Sequence, residues 1–217
     1  MSLVEKLASS LDRNDEQPNI DLAVELSKKQ DLSSEVLELL GIVNHGTKEQ
    51  RHDAIKVLYE LANIRPDVFG DKFEFVFDLL ETKDNRLLWG TLALLAKICH
   101  SNLEKTFSHL PQILAAAERG SVIAKDNAFD ILLQLSSAMG HSSEVQQNII
   151  SFLENAAPNQ LPMYAEKAAT ALVQSNNADI VHALIGRLDH MLTDAKRGRL
   201  EKAIAKLSMP PKPLALV

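Results

Sequence analysis

The residues best equipped for chemistry in this chain are seven histidines, one cysteine and scattered carboxylates. The histidines, His45, His52, His100, His109, His141, His182 and His190, fall mostly near expected helix ends and loops, and no two stand at i, i+4 on one helix. His182 and His190 could share a face near Asp189, but they lie eight residues apart, which favours surface and capping roles over metal binding. Cys99 and His100 form the one adjacent thiol–imidazole pair. Neighbouring helical residues point about 100° apart, so the imidazole would not meet the sulfur as nucleophilic catalysis requires. Asp71 and Glu74 have the spacing of a helix start, with Asp78 one turn on, and Asp126 and Asp130 form an acidic i, i+4 pair beside Lys125. These read as structural or solvated groups. The chain has no Gly-rich phosphate loop, no H-E-x-x-H and no G-x-S-x-G. No catalytic residue, metal ligand or cofactor site is expected.

Those side chains must be positioned by helices, because apolar residues recur at helical spacing almost throughout. Leu3, Leu7 and Leu11 open the chain, and Ile20 to Leu26 mark the next segment. Ser33 is placed to cap a helix through Val43, Thr47 and Gln50 have capping-box spacing for one reaching Ile64, and Arg65-Pro66 interrupts it. Asp71 and Glu74, then Thr82 to Asn85, start two more. In the second half Ser121 can cap a long helix, Ser143 and Gln146 repeat the capping box, and Pro162 suits a first helical turn. Two further helices fit Asp179 to Leu192 and Asp194 to Leu207. The sum is eleven or twelve helices with no alternating strand pattern, followed by a Pro-rich tail, MPPKPLALV, expected to fray.

These helices repeat. LYELANI at Leu58 matches LALLAKI at Leu92 after 34 residues, and AFDILLQLS at Ala128 matches AATALVQSN at Ala168 after 40. Ile55, Trp89, Phe129 and Ala169 stand three residues before Leu58, Leu92, Leu132 and Leu172, as one buried stripe requires. That alignment favours the core for the only Trp, with a binding platform as its alternative role. A pair of such helices cannot cover its inner stripe alone, so each must stack on the next. The expectation is an all-α, right-handed solenoid of antiparallel pairs. A single domain would hold an N-terminal cap over 1–20, repeats over 21–192, a basic capping helix over 193–208 and a tail over 209–217.

The chain resembles the armadillo/HEAT-like repeat family in RHDAIKVLYELANIRPDVF, RLLWGTLALLAKICHSNLEKTF, AKDNAFDILLQLS and YAEKAATALVQSN. The resemblance implies second helices lining a concave face and a non-enzymatic scaffold that binds a protein or peptide. On those helices the exposed stripe should carry Lys56, Glu60 and Asn63, then Gly90, Leu94 and Lys97, then Asp130, Gln134 and Ser137, and finally Thr170, Gln174 and Asn177. Gly90 and Leu94 would make its middle shallow and apolar. The stripe could also be off by one residue, or Leu94 could pack on the adjacent repeat.

Charge weighs on the partner. The net charge of -6 opposes general binding to nucleic acid, although six Lys and Arg from Thr193 onward face only Asp194 and Glu201. The resemblance leaves a DNA-base glycosylase or a chromophore lyase as alternatives, because some HEAT-like proteins are similar to those enzymes. A glycosylase would draw on Lys56, Arg86, Lys97 and Lys125, which the acidic body opposes. A single cysteine excludes an internal disulfide and suits a reducing, cytoplasmic setting. The apolar run from Leu87 to Ile98 is too short to span a membrane and includes Lys97, and the first residues lack a signal-peptide core. Oligomeric state is not legible.

Overall fold

Helical elements account for all the regular structure among the residues described in the computed structural model, which are 2–139, 142–172 and 177–209. Two 3-10 turns, Leu3–Lys6 and Ala8–Leu11, stand where a first α-helix was expected. They precede α1 (Gln17–Ser27), α2 (Ser33–His45), α3 (Lys48–Ile64), α4 (Phe73–Asp78), α5 (Asn85–Ile98) and α6 (Leu103–Ser108). Next come α7 (Leu110–Arg119), α8 (Val122–Met139), α9 (Ser143–Asn155), α10 (Leu161–Ala171), α11 (Ala178–Ile185) and α12 (Asp194–Leu207). Residues 173–176 and the tail from Pro210 onward lie outside the described residues, and with them the fraying expected of the tail.

Local chemistry starts these helices, not always through the expected residue. Thr47 and Gln50 close a reciprocal capping box at α3. Asp84 caps α5 by accepting from the backbone N–H groups of Arg86 and Leu87. At α2 the acceptor is Asp31, which takes the N–H of Ser33, so Ser33 opens the helix and does not cap it. Asp71 caps nothing: its carboxylate pairs with Lys72, and a 3-10 turn over Pro66–Lys72 leads directly into α4. Ser142, not Ser143, precedes α9, and no side-chain cap forms there.

The chain divides into two units, Met1–Ala128 and Phe129–Val217. In the first, α3 packs against α1 and α5, with α2 alongside. Leu26, Leu39, Ile55, Leu58, Leu61, Phe69, Phe73, Leu87 and Leu92 are buried in its core. In the second, α10 packs against α12 and α9 against α11, and the buried set runs through Phe129, Leu132, Ile149, Leu153, Ala165, Ala168 and Leu200. Each fully buried Leu or Ile contributes about 1.5–3 kcal/mol over an exposed one. The last helix is the second member of the pair α11–α12, burying Leu200, Ala203 and Leu207.

Consecutive repeats are also joined by arginines that satisfy helix ends made much earlier in the chain. Arg65 donates to the carbonyls of Ser27, the last residue of α1, and Lys29 just beyond it, at 3.4 and 3.2 Å. Arg119, at the end of α7, donates to Leu80 at 3.0 Å. Arg187, just after α11, reaches Leu153 at 3.1 Å, Glu154, and Ala156 at 2.7 Å. Each fills carbonyls that a helix C-terminus leaves without an intrahelical donor.

Candidate functional site

The site is assembled on α3 and α5. Helical spacing places His52, Lys56, Tyr59 and Asn63 along one side of α3, and Arg86, Trp89, Ala93 and Lys97 along one side of α5. The two rows meet at Tyr59 and Trp89, whose half-exposed rings lie 5.9 Å apart between centroids, tilted by 48°. Gly90 allows the approach: a Cβ there would stand 2.8 Å from Ile55 Cγ1, so only glycine fits against α3 at this distance.

Charged groups surround the rings, and each is engaged. Lys56 Nζ lies 4.9 Å over the Tyr59 ring and pairs with Glu60 Oε1 at 2.8 Å and Glu16 Oε2 at 3.1 Å. Glu16 Oε1 takes Arg86 Nη2 at 2.7 Å. Burial acts to lower the pKa of Lys56, but hydrogen bonding with Glu60, Tyr59 and Glu16 outweighs it and holds the ammonium above its ordinary value. Tyr59 is raised, chiefly by burial, against the opposing pull of Lys56. Both therefore keep their protons at neutral pH.

At the N-terminal end of α3 this face opens into a recess of about 400 Å³. Ala8, Ser9 and the run from Asp12 to Glu16 border it with Glu49, His52, Asp53 and Arg86. Asp53 is buried and fixes the N-terminal segment, accepting from the Ser9 N–H and from Asn19 Nδ2 at 2.7 Å each. His52 Nε2 lies 2.8 Å from Asp84 Oδ2. Burial would raise the Asp84 carboxyl, but His52 and the Leu87 and Arg86 N–H groups bring it below the usual carboxylate range. Planar rings beside paired donors and acceptors suit non-covalent recognition of a polypeptide.

The expected stripe is displaced by one residue on α5. Leu94 is wholly buried, with 0% exposure, and Gly90 is buried against Ile55, so neither forms a shallow apolar middle to the face. The reason is that α5 has a neighbouring second helix to cover the side carrying positions 90 and 94, one turn apart. Trp89, for which alignment with Ile55 and Phe129 favoured the core, is half-buried, its ring at the rim beside Tyr59. Of the first-unit positions, Lys56 is buried, contrary to expectation, because its ammonium lies over the Tyr59 ring and is held by Glu60 and Glu16; Glu60 is half-buried in the same cluster, and Asn63 and Lys97 are exposed. In the second unit Asp130 holds Lys167 at 2.7 Å, Gln134 is half buried, and exposed Thr170 lies 3.3 Å from Lys206 Nζ. Gln174 lies outside the described residues.

Sequence reasoning missed Glu16, Tyr59 and Arg86 as members of the cluster. Tyr59 and Arg86 carry a signal, a polar-tipped or charged residue one helical turn from Lys56 and Trp89 respectively. Glu16 carries none, because its place follows from the chain path before α1. The remaining candidates stay apart: Cys99 is buried and its thiol is pushed up to about 11 by burial, while His100 is exposed. Among the described residues no group of three or more His, Cys, Asp or Glu could hold a metal ion. No helix there is long and apolar enough to cross a membrane.

No protein-family model and no curated protein matches this chain. A structural match is found with a designed armadillo repeat protein solved in complex with the peptide (KR)4. The TM-score is 0.61 at 12% identity, over 96% of this chain and 100% of that one. The fold is thus an all-α solenoid of armadillo/HEAT type, as the repeats and their sequence resemblance lead one to expect.

Proposed function

We propose that this protein is a non-enzymatic scaffold that binds a protein or peptide along its second helices, with the α3–α5 face as the principal contact. The observation that carries this reading is the half-exposed Tyr59–Trp89 pair set among Lys56, Glu60 and Arg86. Rigid aromatic rings on packed helices offer a large contact area with little ordering cost, and such rings with Arg dominate protein hot spots. Asn63 and Lys97 extend the contact on the first unit, and Asp130, Gln134 and Thr170 offer polar groups on the second. The (KR)4 complex of the designed armadillo protein supports the class of ligand by analogy of fold. The cytoplasm is the proposed location.

A library of random displayed peptides, selected on the immobilised chain, tests this. Clones should emerge whose binding weakens about tenfold or more in Trp89→Ala, as expected for a hot-spot ring. Circular dichroism should stay helical. Selected peptides that bind the Ala variant as well as the wild type would place recognition elsewhere.

A further inference from the structure

Glu16 takes part in this site from outside both of its helices. It directly precedes α1 and follows Leu11 to Asp15, all of them exposed. Its two carboxylate oxygens bridge the helices, Oε1 accepting from Arg86 of α5 at 2.7 Å and Oε2 pairing with Lys56 of α3 at 3.1 Å. The preceding residues bond locally: Arg13 to Asp15, and Asp15 to the Gln17 N–H. Buried anchors hold the backbone on both sides of Glu16: Asn19 of α1 accepts from the Ala8 N–H and donates to Asp53, which also accepts from the Ser9 N–H. The Glu16 side chain can therefore turn away while its backbone and those buried contacts stay in place.

We propose that the α3–α5 face receives an acidic side chain of a partner polypeptide between Arg86 and Lys56, and that Glu16 occupies this place in the free protein. The inference rests on the reading of this face as a peptide-binding surface and names its ligand chemistry. Two cationic donors on different helices converge on one carboxylate, the geometry that a partner's Asp or Glu would reuse. A basic side chain has no equivalent place, because Lys56 already covers the Tyr59 ring and is held there by Glu60. The Glu16–Arg86 pair is open to water, its side chains 43% and 41% exposed, and such pairs are weak; Lys56 is only 11% exposed, and when Glu16 leaves it keeps Glu60 as its partner. The partner's acid gains over Glu16 by bringing apolar atoms onto Tyr59 and Trp89.

The test titrates the full chain with three acetylated, amidated hexapeptides, (Glu-Leu)3, (Gln-Leu)3 and (Lys-Leu)3, following emission of Trp89, the only Trp. Wild type should prefer the Glu peptide, and Glu16→Gln should bind it up to about fivefold more tightly, the scale of one exposed ion pair. Arg86→Gln, made in the Glu16→Gln chain, should remove that gain. Glu16→Asp, too short to span both cations, provides a second variant with the same expected direction. Equal binding of the Glu and Gln peptides, or tightening by neither Glu16 variant, would overturn the inference. If peptides selected from the library depend on Trp89 yet show no preference for acids, the binding surface stands and the acidic partner falls. If no library peptide depends on Trp89, both readings fall.

Discussion

The α3–α5 face of the first unit and the α10–α12 face of the second use one architecture for different ends. Both link consecutive second helices by charge. Across α10 and α12, Arg199 grips Glu166 with two bonds of 2.7 and 2.6 Å, and Lys206 reaches Thr170 at 3.3 Å. The partners there are direct, and no third segment intervenes in them. In the second unit Phe129 lies 4.9 Å from Phe152 and 5.0 Å from Tyr164, ring to ring, with Phe129 and Tyr164 buried and Phe152 half-buried. The first unit leaves both Tyr59 and Trp89 half-buried at the rim and pairs Lys56 and Arg86 with Glu16, borrowed from the N-terminal segment. Rings placed inside stabilise the stack. The rings at the rim are those to which the proposed partner contact is assigned.

The largest effect that would break this comparison is loss of α12. Removing Thr193 onward uncovers the part of α10 on which Leu200 and Leu207 are buried, and those two side chains alone account for about 3–6 kcal/mol. Thermal unfolding should fall sharply and light scattering should report association. A truncated chain that stayed monomeric and equally stable would show that the α10–α12 packing is not structural support.

Next in size is a contrast within α5. Leu94→Ala should destabilise by about 2–5 kcal/mol, the range for a buried leucine, with denaturant unfolding as the measure. Trp89→Ala should cost less than the ~3–5 kcal/mol of a fully buried ring, and its main deficit should appear in binding. If the two substitutions cost the same stability and neither touched binding, the separation of core from contact surface on α5 would be wrong.

The smallest effect compares two carboxylates, Asp84 and Glu166. Asp84→Ala removes the α5 cap and should cost about 0.5–2 kcal/mol at neutral pH. Glu166→Gln breaks an exposed pair worth at most about 1 kcal/mol, and that deficit should vanish in about 1 M salt. Glu166 is held below its ordinary pKa by its hydrogen bonds from Arg199, and Asp84 is also lowered. With folded values below the unfolded ones, both contributions are complete above the ordinary carboxylate range and fade as pH falls through it, below about pH 4. Stability measured from pH 7 to pH 3 should show each variant converging on wild type at the acid end.

The helices and their repetition were legible because a buried stripe must recur at fixed spacing. Ile55, Phe129 and Ala169 are buried as their alignment implied, and so are Leu58, Leu92, Leu132 and Leu172. Trp89 broke the pattern because the glycine after it lets α5 approach α3 closely, turning the ring toward Tyr59 at the rim. A shift of one residue moves a helical side chain by about 100°, enough to exchange core for surface, and repeat alignment alone does not resolve it. The caps were read well where the side chain competes only with its own turn, as at Thr47. They were misread at Asp71, where an adjacent Lys72 takes the carboxylate. Glu16 was beyond reach, since its partners lie 40 and 70 residues further along the chain.

The long-range arginine caps bear on how the chain is made. The carbonyls of Ser27, Leu80 and Leu153 receive their donors from residues 38, 39 and 34 positions later. At bacterial and eukaryotic elongation rates of about 5–20 residues per second, each such helix end waits about 2–8 s on the ribosome for its guanidinium. No helix end of this kind is complete until the repeat after it exists, so a chain truncated just before Arg119 or Arg187 would leave the carbonyls of Leu80, or of Leu153, Glu154 and Ala156, without their guanidinium donor.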